Sequence, residues 1–235
     1  MGTSRLVVAL VWVSLAAAVL AREAAPAPGR AVEAPAVVGA GTLTQPRVAV
    51  HAGPRADAPR IGVLTQFRPD FHPRIVLALA ARRDAAGAAT WYRISVPGRP
   101  NGRTGWVRAA HVELRRVDRR IVVYRESRRF ELWIGDRVVR TGAVAVGAPG
   151  METPLGLFYV TARFRPTWSL LGAFAFETSA YSRLSEWPGG GVVGLHGTNA
   201  PQLLGRAVSH GCVRLHDLFL RRYVPVGTPI QIVRA

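Results

Sequence analysis

Turn residues punctuate this chain too densely for long helices. From residue 45 onward, Gly53-Pro54, Ala58-Pro59, Pro97-Gly98, Pro100-Asn101-Gly102 and the Gly/Pro loop from Gly147 to Pro154 break it into short runs. Those runs are rich in β-branched and aromatic residues, which fit a pleated, half-buried surface. Arg47-Val48-Ala49-Val50, Arg60 to Leu64, Ile75 to Leu79, Thr90 to Val96 and Thr104 to Val107 read as strands. Short strands at this spacing point to a small β-barrel over 45–116.

A second run of strands occupies 117–235. Arg120 to Tyr124 and Arg129 to Ile134 read as a pair. Arg137 to Val146, Gly156 to Val160 and Gly191 to His196 follow, and Val226 to Ile232 closes the sheet. Asp217 is placed to cap one short helix through Leu218 to Tyr223. The expected fold class is therefore mostly β: a small barrel followed by a β-rich second domain.

The first 21 residues read as a signal peptide. Arg5 supplies the positive start, Leu6 to Leu20 is apolar, and Val19-Leu20-Ala21 ends in a small residue. The apolar run is short for a membrane span of about 20 residues, so a membrane is expected as a partner only if this segment stays uncleaved. Residues 22–44, rich in Ala, Pro, Gly and Val, read as a linker. The expected location is extracytoplasmic, in the wall or periplasm or secreted.

Net charge is +17, and every basic residue other than histidine is Arg. Residues 45–115 carry net +8 and residues 119–235 carry net +8, so no basic arm or stripe forms. Nucleic acid is not expected as a partner, since neither a reading motif nor aromatic interleaving is present. A diffuse positive field suits an anionic cell wall, and a soluble surface without a specific anionic partner is the plainer reading.

Cys212 is the only cysteine. It cannot form an intrachain disulfide, so in an exported chain the thiol is accidental, intermolecular or reactive. Its neighbours are chemically pointed. His196-Gly197-Thr198 precedes Ser209-His210-Gly211-Cys212-Val213-Arg214. A thiol becomes a useful nucleophile as thiolate, and an imidazole within reach takes its proton and stays beside it as a cation. Arg214 adds positive charge, and the Gly211 and Cys212 amides are candidate donors to a carbonyl oxygen over the sulfur. No Asp or Glu adjoins His196, so the Gly197 carbonyl is its expected orienter. Simpler readings exist for each part: a lone cysteine as a small buried hydrophobe, a strand-end histidine that is merely satisfied. The His/Cys spacing matches no zinc pattern, and no metal or cofactor is expected.

Two resemblances refine this. Trp91-Tyr92-Arg93-Ile94, then Gly102 to Val107 and His111-Val112, resemble bacterial SH3-like domains, with Trp91 and Trp106 as barrel core. Gly194-Leu195-His196-Gly197-Thr198-Asn199 with Ser209 to Leu215, Thr153-Pro154-Leu155-Gly156 and the closing Val226 to Pro229 closely resemble the L,D-transpeptidase (YkuD) domain, over 119–235. Leu155 stands where Thr is common in that family.

The resemblance implies a peptidoglycan enzyme. Cys212 would be the nucleophile and His196 the base. Ser209, His210 and Gly211 would shape the oxyanion site and cleft, and Arg214, Thr198 and Asn199 would contact substrate. The implied substrate is the diaminopimelate–D-Ala bond of a stem tetrapeptide. An amine acceptor gives a 3→3 cross-link, whereas water makes the enzyme an L,D-carboxypeptidase. Two other classes are weighed. NlpC/P60-type endopeptidases place Cys before His, the reverse of the order here. A non-catalytic wall-binding protein has no use for a Cys/His pair. The SH3-like region holds no nucleophile–base pair, so it is expected to target the enzyme and to add little to chemistry.

Overall fold

Among the described residues, paired strands carry most of the buried apolar side chains. The computed structural model describes residues 32–186, 189–216 and 218–235. The expected signal segment and Asp217 lie outside the described residues.

Seven strands build the N-terminal sheet: β1 (Gly39–Leu43), β2 (Arg47–His51), β3 (Arg60–Thr65), β4 (Ile75–Arg83), β5 (Ala89–Ser95), β6 (Thr104–Arg108) and β7 (Val112–Arg115). They lie in the order β3-β2-β6-β5-β4-β1-β7, all antiparallel. Leu43, Val48, Val50, Val76, Ile94 and Val107 fill the interior. Strand β1 falls in the stretch read above as linker. Its small residues are the reason it was overlooked and the reason it fits: a Cβ on Gly41 would meet the backbone of Glu113 at 2.0 Å, so only glycine lets β1 lie so close to β7. Trp91 is buried as expected, packed edge-on against His51, whereas Trp106 is half-buried.

The second sheet comprises β8 (Arg119–Tyr124), β9 (Arg129–Ile134), β10 (Arg137–Gly147), β11 (Gly156–Phe164), β12 (Ala175–Tyr181), β13 (Val192–His196), β14 (Ala207–Ser209), β15 (Val213–Leu215) and β16 (Pro229–Val233), with one helix, α1 (Leu218–Tyr223). Its order is β14-β10-β15-β13-β12-β11-β16-β8-β9, and β9 pairs back onto β10. Eight strands therefore close into a ring, with β14 attached outside it along β10. The sequence explains the closure. Each ring strand supplies an alternating apolar pair: Ile121/Val123, Phe130/Leu132, Val144/Val146, Phe158/Val160, Val193/Leu195, Val213/Leu215 and Ile230/Ile232, with Phe174/Phe176 leading into and along β12. Alternation at period two sends these pairs to one face, and the ring gives that face a dry interior, with Leu220 and Val224 packed in the same core. Residues that alternate with the paired positions must face the other way, and these include Gly194, His196 and Arg214.

The two sheets share a small apolar cluster of Ala40, Leu77 and Tyr159. The Tyr159 hydroxyl donates to the Ile75 carbonyl at 3.1 Å. Gly227 lies so close to Ala40 that a Cβ on it would come within 2.5 Å of Ala40 Cβ.

Candidate active site

Strands β13 and β15 run parallel, with Leu195 opposite Val213 and His196 opposite Arg214. Leu195 and Val213 point inward to the core, so the flanking residues Gly194, His196, Cys212 and Arg214 share the outer face. Gly194 leaves a gap there. The point where its Cβ would sit is 3.7 Å from Cys212 Sγ and 3.5 Å from His196 Cδ2, so thiol and imidazole flank one small space. The Gly194 N–H donates to Cys212 Sγ at 3.3 Å.

His196 is 4% exposed. Its Nδ1 lies 2.6 Å from the Gly197 carbonyl oxygen. A carbonyl only accepts, so Nδ1 carries the proton and Nε2 keeps a lone pair in the neutral ring. The Gly197 N–H donates to the Phe174 carbonyl at 2.9 Å, which fixes the peptide before the one that holds the ring. Gly172, at φ +66°, presses on the Gly197–Thr198 peptide itself: a Cβ there would lie 2.4 Å from the Thr198 nitrogen. The segment before β12 thus closes over His196.

Residues 209–212 form a turn held by hydrogen bonds from the Ser209 and Thr153 hydroxyls. Ser209 Oγ accepts from the Gly211 N–H at 3.1 Å and donates to the Cys212 carbonyl at 2.5 Å. Thr153 Oγ1 donates to the Gly211 carbonyl at 2.9 Å and accepts from the Gly147 N–H at 2.9 Å. Gly211 has φ +119°, a region that favours glycine. The Gly211 N–H, expected as a donor to a carbonyl oxygen over the sulfur, is given to Ser209 Oγ instead.

Burial dominates the electrostatics. It pushes His196 down to about 4, an effect opposed by the bond to Gly197 and reinforced by the Arg214 guanidinium. Burial also pushes the Cys212 thiol up, opposed by the Gly194 N–H and by Arg214. Both shifts favour the neutral forms, because burial disfavours each charge.

Known proteins bear on this arrangement. The profile of the L,D-transpeptidase (YkuD) catalytic domain matches residues 118–232. YkuD of Bacillus subtilis (strain 168) is 31% identical over 175 residues, spanning 73% of this chain and 93% of its own length. The chain belongs to the L,D-transpeptidase (YkuD) family. YkuD of Bacillus licheniformis is 35% identical over 116 residues, 48% of this chain and 64% of that protein. Among solved structures, an L,D-transpeptidase from Mycobacterium tuberculosis H37Rv aligns over 83% of this chain and 98% of its own at 14% identity, with a TM-score of 0.47.

Within this L,D-transpeptidase domain the nine expected site residues divide into two groups. His196, Gly197, Ser209, Gly211, Cys212 and Arg214 meet as described, and His210 lies in the same turn, half-buried. Thr198 and Asn199 do not join them in the same way. The Thr198 hydroxyl accepts from the Ala200 N–H at 3.0 Å, shaping its own loop, and Asn199 is exposed. Thr153 belongs to the site although only the Thr-Pro resemblance had marked it. Gly194 was also missed; its signal is the period-two spacing Gly194/His196 beside Cys212/Arg214.

Proposed function

We propose that this chain is an extracytoplasmic peptidoglycan L,D-transpeptidase with Cys212 as nucleophile and His196 as general base. The observation that carries the reading is the His196 Nδ1–H bond to Gly197 on the strand beside Cys212, which leaves Nε2 free to accept a proton. His196 Nε2 takes the Sγ proton as sulfur bonds to the carbonyl carbon of the diaminopimelate–D-Ala bond. The Cys212 N–H stabilises the developing oxyanion, a contribution typically worth about 3 kcal/mol. Collapse breaks the C–N bond, and His196 returns the proton to the departing D-Ala amine. An acceptor amine then attacks the thioester and loses its proton to His196. The C–S bond breaks, the proton returns to sulfur, and a 3→3 cross-link remains. Arg214 disfavours a resting imidazolium, keeping the base ready.

The leader over 1–21 suits export, and the diffuse positive charge of the chain suits an anionic wall. An SH3-like N-terminal domain fits the same setting. The test is intact-protein mass spectrometry after incubation with a carbapenem, the acylating class that the family resemblance suggests. One covalent adduct is expected, absent in Cys212→Ala. An adduct on Cys212→Ala would refute the assignment. Product analysis with a stem tetrapeptide separates the acceptors: dimer marks transfer, and free tripeptide marks hydrolysis.

A further inference from the structure

The N-terminal sheet reaches into the catalytic domain beside the nucleophile turn. The loop between β5 and β6 presents Asn101 to Tyr181, the last residue of β12. Asn101 Nδ2 donates to the Tyr181 carbonyl at 2.7 Å, and Asn101 Oδ1 accepts from the Tyr181 N–H at 2.9 Å. The side-chain amide thus occupies the place a neighbouring strand would take. Two residues earlier in the loop, Arg99 donates to the carbonyls of Ser182 and Gly190, the latter at 2.8 Å. Its guanidinium also lies over the Tyr181 ring, 5.2 Å from the centroid. Both residues grip main-chain groups, so they fix backbone position whatever the side chains.

What they fix is Ser182. It is 3% exposed, its N–H donates to the Gly191 carbonyl at 2.8 Å, and it packs on Gly211. A Cβ on Gly211 would stand 2.9 Å from Ser182 Cβ. Gly211 precedes Cys212 and is held from another direction by Thr153. A continuous path of contacts therefore runs from Asn101 and Arg99 through Tyr181 and Ser182 to the turn that carries the thiol and its N–H.

We propose that Arg99 and Asn101 are positioning residues for the catalytic centre: by seating Ser182 against Gly211 they hold the 209–212 turn in the shape that acylation needs. This rests on Cys212 being the nucleophile, and it departs from the expectation that the N-terminal half only targets the enzyme. A displacement of about 1 Å at a reacting group costs on the order of 100-fold in rate. Releasing either grip is therefore expected to slow acylation by about 10-fold or more.

The experiment uses the full chain and its Asn101→Ala, Arg99→Ala and Asn101→Asp variants, each held well below its own melting temperature. Two reactions of the same sulfur are timed. Carbapenem acylation passes through an oxyanion and needs the turn in place. Iodoacetamide alkylation displaces iodide from a saturated carbon and uses no oxyanion donor. Both alanine variants should lose acylation rate while keeping the wild-type alkylation rate and its pH profile. Asn101→Asp keeps an acceptor for the Tyr181 N–H and loses the donor, so its acylation rate should fall between. Wild-type acylation rates in both alanine variants would overturn the proposal. So would a parallel loss of acylation and alkylation, which would place the effect on the thiol or the fold. If the wild-type chain alkylates at Cys212 but is never acylated, the functional reading itself fails and takes this inference with it.

Discussion

Replacing Thr153 by Val tests whether the nucleophile turn is held from behind. Thr153 has no exposed surface, and its hydroxyl both accepts from the Gly147 N–H and donates to the Gly211 carbonyl. Valine has nearly the same shape and neither function. Two buried backbone groups lose their partner, at about 1–3 kcal/mol each, so the variant should be destabilised by about 2–6 kcal/mol. For a chain of this size that corresponds to a fall in Tm of about 4–24 °C. Thr153→Ser keeps both hydrogen bonds and loses one methyl group, a cost of about 1 kcal/mol. Thermal melting by circular dichroism of the two variants beside the wild type reads the difference. Acylation of Cys212, timed below the lower melting point, should be slower in Thr153→Val than in Thr153→Ser, because the Gly211 carbonyl is released only in the former. Melting temperatures of the two variants within about 2 °C of each other would refute the argument, since the hydroxyl would then contribute little.

Two further predictions concern protons. His196→Ala should lose Cys212 alkylation near neutral pH and recover it as pH rises toward the thiol's own titration, whereas His210→Ala should lower acylation at every pH without alkaline recovery; the reverse pattern in alkylation rate against pH would exchange the two roles. Burial holds His196 down to about 4, below the unfolded value of about 6.5. The proposed base is therefore expected to stay neutral through mild acid, with the acid limb of the acylation rate centred near 4. By linkage the unfolded chain takes up the proton first, so this histidine's contribution to stability is complete above about pH 6.5 and is lost as pH falls toward the folded value. An acid limb at the ordinary histidine value would show that the ring is not buried during the reaction.

Much of the fold was legible because apolar alternation has a single solution in a closed sheet. Strands such as Arg119–Tyr124, Arg129–Ile134 and Gly156–Phe164 carry their inward pairs openly. Others were not legible for local reasons. Strand β1 is built from Gly, Ala and Thr and is chosen by close approach to β7, not by propensity. Strands β14 and β15 are three residues each, and the ladder partners that define them are distant in sequence. At the site, the residue types around Cys212 announced chemistry, and the order His196 then Cys212 narrowed the class. Spacing alone carried no information on how Ser209 consumes the Gly211 N–H, nor on the burial that pushes His196 down and the Cys212 thiol up. The grip of Asn101 on Tyr181 was likewise invisible, since it joins backbone groups in one domain to a side chain in another.

The closure of the catalytic ring has a consequence for how the protein comes into being. Strand β8 opens the domain and β16 ends it, yet they pair in parallel, Ile121 with Ile230 and Val123 with Ile232. A ring whose first strand waits for its last cannot mature stepwise as the chain is synthesised, and such long-range pairing makes folding slow. During that interval β8 has one flank unpaired and the interior lacks Ile230 and Ile232. The interior of the ring is therefore completed only when β16 docks between β8 and β11.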